Sequence, residues 1–242
     1  MGRYLIYGGN GGIGEAIARR LATAGHDLVL AGRNDEELQA LAGEIGAQTV
    51  TCDVTDDNAI ATAAEAAGEI LDGLVYAVGT INLKPFSRLK GEDFLNDFNL
   101  NALGAAKVIQ ASLPALQKAP DGASVLLFST VAVDQGFAAH ASIAMAKGAV
   151  VGLTRSLAAE FAPQIRVNAI APSLVDSPLG KRVASSEKMA EAVAKMHPLP
   201  RLGRPDDIAA MGEILLTDAG SWITGQVIGI DGGRSTLRVA RG

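Results

Sequence analysis

Between the aliphatic run Tyr4-Leu5-Ile6-Tyr7 and a stretch with helical spacing stands Gly8-Gly9-Asn10-Gly11-Gly12-Ile13-Gly14, a turn that few folds can use. Glycines there permit positive φ and close backbone approach. A helix starting directly after them aims unpaired N–H groups and the positive end of its dipole into the turn. The combination predicts a cradle for a dinucleotide pyrophosphate, formed by Gly8, Asn10, Gly12, Ile13 and Gly14, with a first helix over Glu15–Ala24.

Six further short runs follow: Leu28-Val29-Leu30, Thr49-Val50-Thr51, Leu74-Val75-Tyr76, Val125-Leu126-Leu127-Phe128, Val167-Asn168-Ala169-Ile170 and Val227-Ile228-Gly229-Ile230. They are separated by turn residues and helical patterns. This predicts a single doubly wound α/β domain of the Rossmann type over 1–242, with seven parallel strands and helices on both faces. Helix starts are legible in Asn34 with Glu37, a capping-box pair, and in Arg204-Pro205-Asp206-Asp207. The stretch 177–200, with Lys181, Arg182, Lys188 and Lys195, reads as a mobile helical lid or as an ordinary surface insertion. Its cations would attract an acidic substrate or simply form a solvated face. Residues 236–242 read as a tail that an oligomer interface could tie down.

Composition removes several functions. A net charge of -5, from 21 basic and 26 acidic residues without a basic run, argues against a nucleic-acid partner. No apolar run approaches the ~18 residues of a membrane span, so no membrane partner is expected. The single cysteine, Cys52, excludes an internal disulfide and a cysteine-cluster metal site. Asp134, His140, Asp176 and His197 lack ligand spacing, so no metal is expected, and no Gly-x-Ser-x-Gly elbow is present for acyl transfer. The glycine turn comes within a few residues of Met1, which predicts no export signal and a cytoplasmic protein.

Arg33 closes the second strand run. An acid there would bind the ribose 2′-hydroxyl of NAD, whereas arginine pairs with the 2′-phosphate of NADP, so NADP(H) is expected over NAD(H). Asp53 and Val54, after the third run, are placed to meet an adenine; Asp53 is equally suited to capping a helix.

The order of motifs resembles the short-chain dehydrogenase/reductase family from Arg3 to about Ser235. The resemblance rests on Tyr7 to Gly14, on Asn101 ahead of Gly104 and Pro114, and on Ile165-Arg166-Val167-Asn168-Ala169-Ile170-Ala171-Pro172. It continues in Ser221-Trp222-Ile223-Thr224-Gly225-Gln226 and Asp231-Gly232-Gly233. It implies hydride transfer between a nicotinamide and a carbonyl or alcohol. It further implies that Lys147 meets the nicotinamide ribose hydroxyls, that Asn101 holds a water linked to Lys147, and that Thr130 stands at the family's serine. Ala77 and Gly79, after the fourth strand, and Pro172, Val175 and Ser177, after the sixth, would complete the cofactor site, with Ser177 towards the carboxamide.

One position breaks the pattern. Where the family's Tyr-x-x-x-Lys has its tyrosine, this chain has Ile143, which holds no transferable proton. The stretch His140-Ala141-Ser142-Ile143-Ala144-Met145-Ala146-Lys147 is similar to the Tyr-x-x-Met-x-x-x-Lys of the related enoyl-thioester reductases, with His140 in the tyrosine slot. Imidazole, with an ordinary pKa of about 6.5, is a competent proton donor near neutrality, and a neutral N–H beside Lys147 would polarise a substrate oxygen. The expected protein is an NADP(H)-dependent reductase of a C=C or C=O group in a small or thioester substrate. Beside it stand an NADP-binding homologue that has lost catalysis and serves as sensor or assembly partner, and ordinary ketone chemistry with Tyr76 as a displaced donor. Small-residue faces on helices over Ala102–Gln117 and Ser142–Glu160, with Gly148 and Gly152 one turn apart, predict a homotetramer or homodimer.

Overall fold

The computed structural model describes residues 1–239. The seven runs are its seven strands: β1 (Arg3–Tyr7), β2 (Asp27–Gly32), β3 (Gln48–Thr51), β4 (Gly73–Tyr76), β5 (Ala123–Phe128), β6 (Ile165–Pro172) and β7 (Val227–Ile230). All pair in parallel, in the order β3-β2-β1-β4-β5-β6-β7.

The helices are α1 (Gly12–Thr23), α2 (Asp35–Ile45), α3 (Asp57–Ala66), α4 (Gly91–Phe98), α5 (Gly104–Leu116), α6 (Val131–Asp134), α7 (Ala141–Phe161), α8 (Pro178–Lys181), α9 (Glu187–Ala194) and α10 (Pro205–Leu216). Side chains alternate across each strand, so the apolar runs feed two cores. Leu5, Tyr7, Val29 and Ala31 pack under α3, α5 and α7. Tyr4, Ile6, Leu28 and Leu30 pack under α1, α2 and α10. Among the described residues no helix is long and apolar enough to cross a membrane.

Local chemistry sets the helix starts, with some departures from the sequence reading. The first helix begins at Gly12 rather than Glu15, because the Gly11 N–H donates to the Gly8 carbonyl at 2.9 Å and the Glu15 N–H to the Gly11 carbonyl at 2.7 Å. Only half of the Asn34–Glu37 capping box forms. Asn34 accepts from the Glu37 N–H, but the Glu37 carboxylate takes the Asn10 amide at 2.7 Å instead of returning to Asn34. At α10 the pattern holds, with Pro205 in the first turn and the Arg204 N–H donating to Asp207 at 2.7 Å. The helix expected from Ala102 begins at Gly104 and is entered through a π turn, Asn99–Leu103.

In the stretch 177–200, Val183, just after α8, and Val193 on α9 line a common cavity, while Lys181, Arg182, Lys188 and Lys195 are all exposed. Those cations form a solvated face. The end of α9 is pinned to β6, since His197 is buried with Nε2 at 2.8 Å from the Ser173 hydroxyl and Nδ1 at 2.9 Å from the Val193 carbonyl. In the expected tail, Thr236 to Val239 are exposed, and 240–242 lie outside the described residues.

β1 has β2 on one side and β4 on the other, so the chain leaves it in opposite directions. Such a switch point opens a crevice at the carboxyl ends of the strands. The glycine turn lies there. Gly8 has φ +77°, and a Cβ on it would stand 2.9 Å from the Ala77 backbone after β4.

Candidate active site

Of the residues singled out in the sequence, Ile13, Ala77, Gly79, Thr130, His140, Lys147, Pro172, Val175 and Ser177 line one cavity of about 320 Å³. Gly8, Asn10, Gly12 and Gly14 belong to the glycine turn, and Arg33, Asp53 and Val54 follow the ends of β2 and β3 in the same crevice. Ser177 joins the two parts: a Cβ on Gly12 would be 2.8 Å from the Ser177 Cβ. The Ser177 hydroxyl also caps α8 by accepting from the Gly180 N–H at 3.1 Å.

The glycine turn fits a pyrophosphate on its own geometry. Gly11, the N-cap of α1, offers no side chain to the helix N-terminus, which leaves the first-turn N–H groups of a 12-residue helix facing the crevice. Arg33 is exposed and Asp53 half-buried. Asp53 accepts from the Thr55 N–H at 2.9 Å and its hydroxyl at 2.7 Å, and these bonds, helped by the Arg33 charge, hold its carboxyl below the usual range. Its side chain thus closes a local turn and does not cap a helix, because the N-cap of α3 is Asp56. Val54 is buried.

Lys147 is buried in α7, at 8% exposure, and its ammonium donates to the Phe128 carbonyl at 2.9 Å. Burial pushes its pKa down to about 8, against the opposing pull of Asp97. A Cβ on Gly79 would lie 3.0 Å from Asn101 Oδ1 and 3.3 Å from Lys147 Nζ, so both groups face the space beside that glycine.

Behind Lys147 lies a polar cluster that the sequence reading missed. The buried Asp97 carboxylate accepts from the Thr80 hydroxyl at 2.7 Å and the Ser142 hydroxyl at 2.6 Å. The Asn101 amide donates to the Thr80 oxygen at 2.9 Å and the Asp97 carbonyl at 2.8 Å. Its signal was weak: Asp97 stands four residues before Asn101, one helical turn, but Thr80 and Ser142 come from other elements. The widened π turn carries Asn101 into this cluster.

Thr130 caps α6 by accepting from the Ala132 N–H at 3.3 Å, which leaves its own proton free to be donated. His140 is half-buried at the start of α7, with Nδ1 at 2.7 Å from the Ala138 carbonyl. A carbonyl only accepts, so that nitrogen carries the proton. The expectation of a neutral N–H facing the site is therefore corrected: a neutral ring presents the lone pair of Nε2, and only the imidazolium donates from it.

The displaced-donor reading fails on geometry. Tyr76 is 2% exposed, packs under α5 beside Tyr7, and its hydroxyl donates to the Leu100 carbonyl at 2.7 Å, where it props the π turn. Tyr4 and Tyr7 are also buried, and none of the three tyrosines lines the cavity; Ile143 does, at 4% exposure.

Fold and crevice define a dinucleotide-binding α/β protein. A family model described as enoyl-(acyl carrier protein) reductase matches residues 8–235. Oxidoreductase UcpA of Salmonella typhimurium is 37% identical over 252 residues, covering 96% of this chain and 94% of its own. The 3-oxoacyl-[acyl-carrier-protein] reductase MabA of Mycobacterium bovis is 31% identical, with 95% and 91% covered. A variant of actinorhodin polyketide ketoreductase solved with NADPH superposes with a TM-score of 0.91 at 26% identity, covering 97% of each chain. A short-chain type dehydrogenase/reductase from Mycobacterium ulcerans gives 0.90 at 29%, covering 97% and 90%. The chain belongs to the short-chain dehydrogenase/reductase family, a family of oxidoreductases.

Proposed function

We propose that the chain is an NADP(H)-dependent reductase of a C=O or C=C group in a small or thioester substrate, with His140 in place of the family's tyrosine. The observation that carries this reading is the shared cavity. Thr130, His140 and Lys147 line it together with Ile13 and Ser177 beside the glycine turn, and Ile143, which the motif register sets against the family's tyrosine, lines it too. Among the relatives, MabA is by name a 3-oxoacyl thioester reductase, and the actinorhodin ketoreductase was solved with NADPH.

Bound in the crevice, the dinucleotide would supply the hydride. Gly8, Asn10, Gly12, Ile13 and Gly14 hold its pyrophosphate, Asp53 and Val54 its adenine end, and Ala77, Gly79, Pro172, Val175 and Ser177 its nicotinamide end. Lys147 holds the ribose hydroxyls, kept charged in its buried position by Asp97 through Coulomb attraction, with Asn101 stiffening the floor. Thr130 donates to the substrate oxygen. His140, fixed through Nδ1 by the Ala138 carbonyl, passes the Nε2 proton of its imidazolium to the oxygen or carbon on which negative charge develops.

The reading extends to a single cytoplasmic domain over 1–242 that assembles as a homotetramer or homodimer. Leu95, Phe98, Leu103 and Met145, exposed on α4, the π turn and α7, support a further covered face.

Arg33 supports NADP(H) because it is exposed after β2 and makes no salt bridge among the described residues. Arg33→Ala is expected to weaken NADPH binding about tenfold or more and leave NADH binding nearly unchanged, the loss of one charge-assisted contact. Fluorescence titration measures both. The function itself is tested by NADPH consumption on 3-oxoacyl and enoyl thioesters, simple ketones and short oxo and enoyl acids. Turnover that prefers NADPH is the expected result; tight NADPH binding without turnover on any of them contradicts the reading.

A further inference from the structure

The turn after β7 delivers one more side chain to the cavity. The Asp231 carboxylate accepts from the Gly233 N–H at 2.8 Å, the Ser235 N–H at 2.9 Å and the Ser235 hydroxyl, and Gly232 and Gly233 take φ +64° and +84°. This turn holds Arg234 over Phe137, with the guanidinium carbon 4.9 Å from the ring centroid. Phe137 in turn packs on His140, ring centroids 5.4 Å apart. All three line the cavity, whose wall otherwise includes Leu83, Val183 and Val193.

Arg234 differs from Lys147, the buried cation there. Lys147 donates to a carbonyl and feels the Asp97 charge, whereas Arg234 makes no salt bridge among the described residues. Asp231, the acid that acts on it through space, has its carboxylate turned into its own turn. A half-buried guanidinium stacked on a ring keeps its planar edge of N–H donors free. That edge matches a carboxylate in two parallel bonds, strengthened where water is excluded.

We infer that Arg234 is a substrate-recognition residue that binds the carboxylate of an oxo or enoyl acid beside Phe137 and His140. The inference rests on the reductase reading for the reducible group, and on the cavity alone for the carboxylate. Because Arg234 and His140 flank one ring, guanidinium and imidazole lie within about 10 Å of each other. That leaves room for only a few carbons between carboxylate and reducible group. The substrate class is thus a short oxo or enoyl acid.

The test is calorimetric binding of pentanoate and pentanamide to the full chain loaded with NADP⁺, for wild type, Arg234→Leu and Arg234→Lys. Their NADPH affinities and melting temperatures are measured alongside to verify folding. Wild type is expected to bind pentanoate at least tenfold more tightly than pentanamide, Arg234→Leu to lose that preference, and Arg234→Lys to keep part of it. Equal binding of acid and amide by wild type, or an unchanged preference in Arg234→Leu, overturns the inference. In parallel, NADPH consumption on 4-oxopentanoate and its methyl ester separates the two ideas. Arg234-dependent pentanoate binding without turnover leaves the carboxylate site standing and counts against the reductase reading, whereas turnover on the ester as fast as on the acid counts against Arg234.

Discussion

Lys147→Met is expected to lower turnover by roughly a hundredfold or more, because the cation that would hold the ribose and bias the cavity's charge is gone. The same variant reports on burial. The lysine's pKa falls from 10.5 to about 8 on folding, mainly through desolvation. Between those values the unfolded chain binds more protons than the folded one, so wild-type stability gains from this group as pH rises through the window; below pH 8 the full penalty is present. That difference corresponds to about 3 kcal/mol. Methionine does not titrate. Urea unfolding of both proteins at pH 7.5 and 10.5 should therefore show the wild type gaining on the variant by up to that amount. A gap that stays constant, or moves the other way, contradicts a buried ammonium.

Gly14→Ala is expected to cripple the dinucleotide site. A Cβ there would run into the Gly8 carbonyl oxygen, the same oxygen that accepts from the Gly11 N–H and closes the turn. Backbone has to move, at a cost of about 1–3 kcal/mol in stability, and the N–H groups of the cradle move with it. NADPH binding should weaken at least tenfold. Gly43→Ala is the control: it lies inside α2 with no atom within 4 Å of an added Cβ, and alanine is the better helix former. Titration and melting that treat the two variants alike would contradict the cradle.

The fold was legible because its signals are local. Each strand is a short apolar run, and the glycine turn marks the one connection that a dinucleotide needs. What escaped depends on contacts between distant segments. Tyr76 ends a strand apolar on both faces, so its side became readable only with the register that pairs it with Tyr7, on the face under α5. The Asp97 cluster gathers residues from the loop after β4, from α4, from the π turn and from α7, and no spacing in the sequence marks that meeting. The tautomer of His140 hangs on a carbonyl two residues away whose direction is set by the turn before α7. Arg234 follows an Asp-Gly-Gly motif recognised at once, yet its stacking on Phe137 spans almost a hundred residues.

The central claim is that His140 carries the proton. The most direct measurement is the pH profile of NADPH consumption for wild type and His140→Phe on one accepted substrate, with NADPH affinity measured in both. If His140 donates the proton, the variant is slower by about 10²–10⁴ with cofactor affinity unchanged, while the loss of rate as Lys147 discharges near pH 8 remains in both proteins. A variant that keeps the wild-type rate across the profile would place the donor elsewhere and contradict the account.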